Sequence, residues 1–370
     1  MNHPFHDMLG EATRLTQSGD LMAATELIQR VLCGQAAFAP PAASPRPDRA
    51  GAATGAGAGL VIDVDSRVLA DPIPDPDVIP GAAEQWLRGS YAGKGRQLAY
   101  RLYVPPRQAG QDEARPLILM LHGCTQDADD FAAGTRMNAL AREAGVLVLY
   151  PEQTQHANAQ RCWNWFKPQH QQRNRGEPAL LAALTQQIMA EYHADPTRIY
   201  VAGLSAGGAM ADILGRTYPE LFAGVGVHSG LAAGAAADLP SALSAMHGGA
   251  AAGHASAPAL RPLIVFHGDA DATVHPANGA ALVEAARSAQ RASLGAAQVS
   301  EGRAPNQQRF TRTLHGRAEG GTAIEYWQLH GTGHAWSGGS AAGSHTAPGG
   351  VDASAQMLRF FLAHRQTGAR

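Results

Sequence analysis

Seven short apolar runs punctuate the chain after about Ser90. They are Leu98 to Val104, Pro116 to Leu121 (PLILML), Val146 to Tyr150 (VLVLY), Arg198 to Ala202 (RIYVA), Ala223 to Val227 (AGVGV), Pro262 to Phe266 (PLIVF) and Ile324 to Leu329 (IEYWQL). Gly or Pro bounds these runs and they do not alternate strictly, which suits strands buried on both faces, as in a parallel sheet. Helical stretches fall between them, at roughly 129–144, 178–192, 206–218, 277–292 and 352–365. Strand and helix in alternation predict a doubly wound, mostly parallel α/β fold with right-handed crossovers. Reactive groups on such sheets gather at the carboxyl ends of the strands, so the segments just after each run are where chemistry is expected.

The beginning of the chain reads differently. Met8, Ala12 and Leu15 share one helical stripe, Ser18-Gly19-Asp20 interrupts it, and Leu21, Ala24, Leu27, Ile28 and Leu32 resume it. This predicts a helical hairpin appendage over 1–35, too small to be stable alone. From Ala36 to Gly59, 18 of 24 residues are Ala, Pro or Gly, too little side chain to offset the entropy of ordering. A flexible linker is therefore expected over 36–89 and a catalytic domain over 90–370. Gly55-Ala56-Gly57-Ala58-Gly59 has no strand before it and no helix at the required distance after it, so it is low complexity and not a dinucleotide loop.

Composition narrows the classes. Apolar residues make up 45% of 370 and charged ones 16%, which excludes a wholly disordered chain. The formal charge is −2, and the basic residues are scattered arginines apart from Lys94 and Lys167, so nucleic acid is not an expected partner. No run approaches the ~18 consecutive apolar residues of a membrane span. Met1 to Gly34 lacks the charged start, apolar middle and small-residue cleavage site of a secretory signal. Cys33, Cys124 and Cys162 are too few for a disulfide scaffold and lack metal-finger spacing. The histidines, His156 and His170 among them, show no metal-ligand spacing, so neither metal nor cofactor is expected.

After RIYVA comes Gly203-Leu204-Ser205-Ala206-Gly207, and Gly208-Ala209-Met210 opens a helix. A G-x-S-x-G pentapeptide between a buried strand and a helix is the nucleophile-elbow context, in which small neighbours let a serine adopt a strained turn. The helix start then aims free amides and its positive dipole end at the serine oxygen. A serine needs a base and the base an orienting acid, following in the chain order Ser, Asp or Glu, His. After PLIVF stands His267-Gly268-Asp269-Ala270-Asp271, and after IEYWQL stands His330-Gly331-Thr332-Gly333-His334. His334 is the expected base, with His330 structural. Asp271 is the preferred acid, since it clears the strand end, and Asp269 is the alternative as well as a loop tie. The oxyanion donors expected are the Ala206 amide and an amide of the loop after PLILML. Cys124 is preferred there over Gly123 or Thr125, with His122 fixing the loop.

These residues resemble the esterase family of polyhydroxybutyrate depolymerases, which also takes in feruloyl and acetylxylan esterases. The resemblance is carried by LHGCTQDADDFAAGTRMNALA (121–141), LVLYPEQ (147–153), RCWNWF (161–166), YVAGLSAGGAMA (200–211), GVHSGL (226–231), HGDADATV (267–274) and GTGHAWSGG (331–339). It implies an α/β-hydrolase fold and a secreted serine carboxylesterase acting on polyester, oligomeric or related esters, with Ser205, Asp271 and His334 as its triad. Export sits against the missing signal pattern, and a cytoplasmic location is the alternative. The resemblance also implies a disulfide between Cys124 and Cys162. Trp163, Trp165 and Trp336 lie on loops near the site, where large aromatics line an acyl or aryl pocket or pack the loops on the sheet. Acyl transfer on the same triad and a catalytically inactive binding protein on a hydrolase fold are the alternatives in function. The ester itself and the oligomeric state are not encoded in these patterns.

Overall fold

A computed structural model of the chain describes residues 83–366 apart from 94, 108–112, 249–260, 291–292 and 318–320. The expected helical hairpin over 1–35 and nearly all of the 36–89 linker lie outside the described residues. The sheet begins with β1 (Gln85–Gly93) and continues through β2 (Arg96–Val104), β3 (Arg115–Leu121), β4 (Leu147–Glu152), β5 (Ala194–Leu204), β6 (Gly224–His228), β7 (Leu263–Gly268), β8 (Leu294–Arg303), β9 (Arg309–Arg317) and β10 (Thr322–Leu329). Its strand order is β1-β2-β4-β3-β5-β6-β7-β10-β9-β8. Six strands, β4-β3-β5-β6-β7-β10, run parallel, while β1 and β2 on one flank and β9 and β8 on the other pair antiparallel.

Seven helices are described: α1 (Ala128–Thr135), α2 (Met137–Ala144), α3 (Gly176–Glu191), α4 (Ala206–Thr217), α5 (Leu239–Gly248), α6 (Ala277–Gln290) and α7 (Ala353–Leu362). Successive strand side chains point to opposite faces. Leu117, Leu119 and Leu121 of β3 therefore pack with Leu180, Leu184, Met210 and Leu214 of α3 and α4. Ile118 and Met120 pack on the other face with Phe131, Met137, Met357 and Phe361 of α1, α2 and α7. Both faces are covered, which is why the strand reads as an unbroken apolar run.

Three departures from the expected pattern have physical causes. The helix expected over 129–144 is two, because Arg136 adopts a left-handed conformation (φ 55°) and its N–H closes α1 on Ala132 O. The flanking strands β1, β8 and β9 carry little buried apolar surface, so hydrophobic period did not reveal them; β8 is exposed along almost its whole length. Helix α5 falls outside the expected helical stretches, since it buries only Ala242 and Ala245 and so carries little apolar periodicity.

Candidate active site

The chain turns from β5 into α4 at Ser205, whose backbone is strained (φ 57°, ψ −118°), and Ser205 is the residue preceding the first helical turn. Its N–H donates to His228 O at the end of β6 (2.9 Å). The turn fits only because its neighbours lack side chains. A Cβ on Gly203 would lie 2.7 Å from Leu121 O, and one on Gly207 would lie 2.5 Å from His122 O. Helix α4 thus starts almost in contact with the end of β3, which brings the serine beside the loop that leaves β3.

That loop is fixed from several sides. His122 Nδ1–H donates to Gly123 O (2.7 Å), and its Nε2 accepts from Gln153 N–H (3.0 Å). Burial pushes the His122 pKa down to about 4, so the ring is neutral and both bonds persist. The Gly123 amide donates to Gln126 Oε1 (2.9 Å) and the Thr125 amide to Gln160 O (2.6 Å). Both are committed, whereas no hydrogen bond among the described residues engages the Cys124 or Ala206 amide. Cys124 is disulfide-bonded to Cys162, with Cα atoms 4.2 Å apart, tying this loop to the 152–175 segment.

The loops after β7 and β10 meet at the same end of the sheet. His334 Nδ1–H donates to Asp271 Oδ2 (2.8 Å), which leaves Nε2 with its lone pair free. Asp271 Oδ1 accepts the Thr273 and Val274 amides (2.9 and 2.8 Å). Burial alone would raise the Asp271 pKa, but hydrogen bonds from His267, His334 and Val274 outweigh it and hold the carboxyl well below the usual carboxylate range. Asp269 does different work: it accepts from His330 Nδ1–H (2.8 Å) and the Gly331 amide (2.7 Å), closing the loop base. His267 donates to Val274 O (2.8 Å) and thereby shapes the Asp271 turn.

Trp163, Trp165 and Trp336 are 0%, 5% and 1% exposed. Trp336 packs against Phe131 and His228 and donates its indole N–H to Ser354 Oγ (3.0 Å). Trp163 lies against His122 and Trp165 against Phe166, with ring centroids 5.5 and 5.8 Å apart. The motif reading assigned nothing to His228, a fully buried histidine touching both the serine turn and the His334 loop. Its signals in the sequence are a polar residue closing the apolar AGVGV run and its place in the GVHSGL segment (226–231). Among the described residues no group of three or more His, Cys, Asp or Glu is arranged to hold a metal, and no helix is long and apolar enough to cross a membrane.

Residues 98–301, more than half of the chain, match the family profile described as esterase PHB depolymerase. The poly(3-hydroxyalkanoate) depolymerase C of Paucimonas lemoignei is 34% identical over 188 residues, covering 48% of this chain and 45% of the relative. A feruloyl esterase B of Neurospora crassa is 34% identical over 143 residues, covering 37% of this chain and 47% of the relative. The chain thus spans about half the length of these curated relatives. The solved acetyl xylan esterase of Aspergillus awamori superposes with a TM-score of 0.55 at 18% identity, covering 72% of this chain and 94% of that one. The shared fold is that of α/β-hydrolase esterases.

Proposed function

Because the chain belongs to the esterase PHB depolymerase family, we propose that it hydrolyses carboxylic esters through Ser205, His334 and Asp271. The observation that carries this reading is the Asp271–His334 hydrogen bond of 2.8 Å at the sheet edge that also holds the strained Ser205 turn. His334 Nε2 takes the hydroxyl proton as Ser205 Oγ attacks the ester carbonyl. Buried Asp271 keeps the imidazole in the competent tautomer and stabilises the imidazolium that forms. The uncommitted Cys124 and Ala206 amides donate hydrogen bonds to the developing oxyanion. Collapse expels the alcohol, protonated by His334, and leaves an acyl-Ser205 ester. Water, deprotonated by the same imidazole, then releases the acid.

The substrate class we assign is a hydroxyalkanoate polyester or its oligomers, as in the name of the Paucimonas lemoignei relative. Feruloyl or acetylxylan esters are the second reading, favoured by the other relatives. Export to an oxidising compartment is supported by the disulfide beside the site. The test is Ser205→Ala assayed on p-nitrophenyl butyrate, 3-hydroxybutyrate oligomers, methyl ferulate and acetylated xylan. Turnover is expected to fall on the order of 10⁴-fold or more with the fold retained. A variant as active as the parent refutes the triad, and the parent's ranking of the four esters decides the substrate class.

A further inference from the structure

His228 ends β6 with its side chain completely buried. Its main-chain oxygen accepts the Ser205 N–H at 2.9 Å. Its ring Nε2 accepts the Ser337 N–H at 3.1 Å, three residues beyond His334. Nδ1 carries the proton and faces Ser229 Oγ at 3.2 Å. The imidazole lies between Phe266, stacked at 5.7 Å and 11°, and Trp336, stacked at 5.2 Å and 26°. One residue therefore holds the backbone of the serine turn with one atom and the backbone of the histidine loop with another.

The rest of the loop shows why that contact matters. On the near side of His334 the chain Gly331-Thr332-Gly333 is tied to the loop after β7, through Gly331 N–H to Asp269 Oδ1 (2.7 Å) and Ala270 N–H to Thr332 O (3.1 Å). On the far side it is anchored by Trp336 N–H to His345 O (2.7 Å), Gly338 N–H to Ala347 O (2.9 Å) and Ser340 N–H to Gly134 O (2.8 Å). None of those partners belongs to the strand behind the nucleophile. Among the described residues, the bond from Ser337 to His228 is the one hydrogen bond from this loop to β6.

We propose that His228 is a positioning residue for ester hydrolysis, its carbonyl and its ring together setting the separation between Ser205 and His334. The inference rests on the triad reading above. Ser337 N–H needs an acceptor on the ring, and a protonated imidazole has none. Burial, reinforced by repulsion from His267 and His334 and opposed by Asp271, pushes the His228 pKa down to about 3, so the acceptor survives at any working pH. A shift of about 1 Å between nucleophile and base is enough to cost on the order of 100-fold in rate.

The experiment compares His228→Phe, which keeps a stacked ring without an acceptor, with His228→Gln, whose amide oxygen reaches about as far as Nε2. The assays are p-nitrophenyl butyrate kinetics and the second-order rate of labelling by a fluorophosphonate. We expect His228→Phe to lose roughly 10- to 100-fold in kcat and in labelling rate with KM within about twofold, and His228→Gln to recover most of both. Should His228→Phe not fold, His228→Asn, whose shorter amide stops short of Ser337, carries the same expected loss. Folded His228→Phe or His228→Asn with near-parental kcat overturns the proposal, as does an equal loss in His228→Gln, which would assign the effect to stacking. Failure of the triad reading is distinct: the parent itself would then resist the fluorophosphonate and Ser205→Ala would remain active.

Discussion

Replacing Asp271 by Asn changes one atom and reverses the hydrogen-bond logic around it. In the native turn Oδ1 accepts the Thr273 and Val274 amides at 2.9 and 2.8 Å, and Oδ2 accepts the His334 Nδ1–H at 2.8 Å. The asparagine oxygen stays with the two backbone donors, which leaves its NH₂ facing Nδ1. Two donors cannot meet, so the imidazole shifts its proton to Nε2 and presents a donor where Ser205 needs an acceptor. The same exchange in a serine triad lowers kcat by about 10⁴, equivalent to about 5 to 6 kcal/mol of transition-state stabilisation. Initial rates with p-nitrophenyl butyrate measure it, with near-ultraviolet circular dichroism checking the fold. Asp269→Asn is the internal control. Asp269 serves His330 and Gly331, so its replacement is expected to cost no more than about threefold, the scale of a lost loop tie and not of a lost triad member. A folded Asp271→Asn within tenfold of the parent, or an Asp269→Asn loss of equal size, refutes the assignment of the acid.

Two further outcomes are expected. Thiol titration of the denatured, unreduced chain should find one reactive cysteine of the three, Cys33, and three after reduction. Because the bridge joins residues 38 apart, reduction should lower unfolding free energy by about 4 kcal/mol on the chain-entropy estimate; three thiols before reduction would contradict the pairing. Stability should also fall with acid. Burial depresses the pKa of His122 to about 4 and of His228 to about 3, against about 6.5 when unfolded. Between those values unfolding takes up protons, so stability is complete above about pH 6.5 and declines below it by about 1.4 kcal/mol per pH unit for each ring. Urea midpoints from pH 7 to pH 5 should drop accordingly, with His228→Phe showing a slope smaller by about one proton; a flat profile would exclude buried neutral imidazoles.

Much of the fold can be read from the chain because the central strands are covered on both sides. Leu117 to Leu121 is apolar at every position, and so is Leu147 to Tyr150. The serine turn is legible for a steric reason: glycines at 203 and 207 are dictated by main-chain oxygens of β3 lying against them. The flanks are not, since Gln298, Ser300 and Glu301 of β8 face water and carry no core pattern. The break at Arg136 is invisible because the left-handed residue that ends α1 is not glycine. Loop aromatics are ambiguous in sequence for a related reason. Trp163 and Trp336 look the same on paper whether they line a cleft or fill a core, and only their neighbours decide. His228 goes unread because its two contacts join segments more than a hundred residues apart in one case and a strand crossing in the other.

The outer ribbon formed by β8 and β9 has a consequence for how much that flank can vary. A strand with one buried face is locked in register, because sliding by a single residue would turn its apolar set outward. Strand β8 has no such penalty, with nearly every side chain from Gly295 to Gly302 in solvent. Its alignment on β9 is therefore governed by the connection at 304–308, where Ala304 N–H donates to Gln308 O (2.8 Å) and Arg303 reaches Gln307 O (3.2 Å). Substitutions along the strand are thus nearly free, whereas inserting or deleting one residue in that short turn re-indexes the ribbon and breaks the ties of Asn306 and Gln308 to Gly349 and Val351.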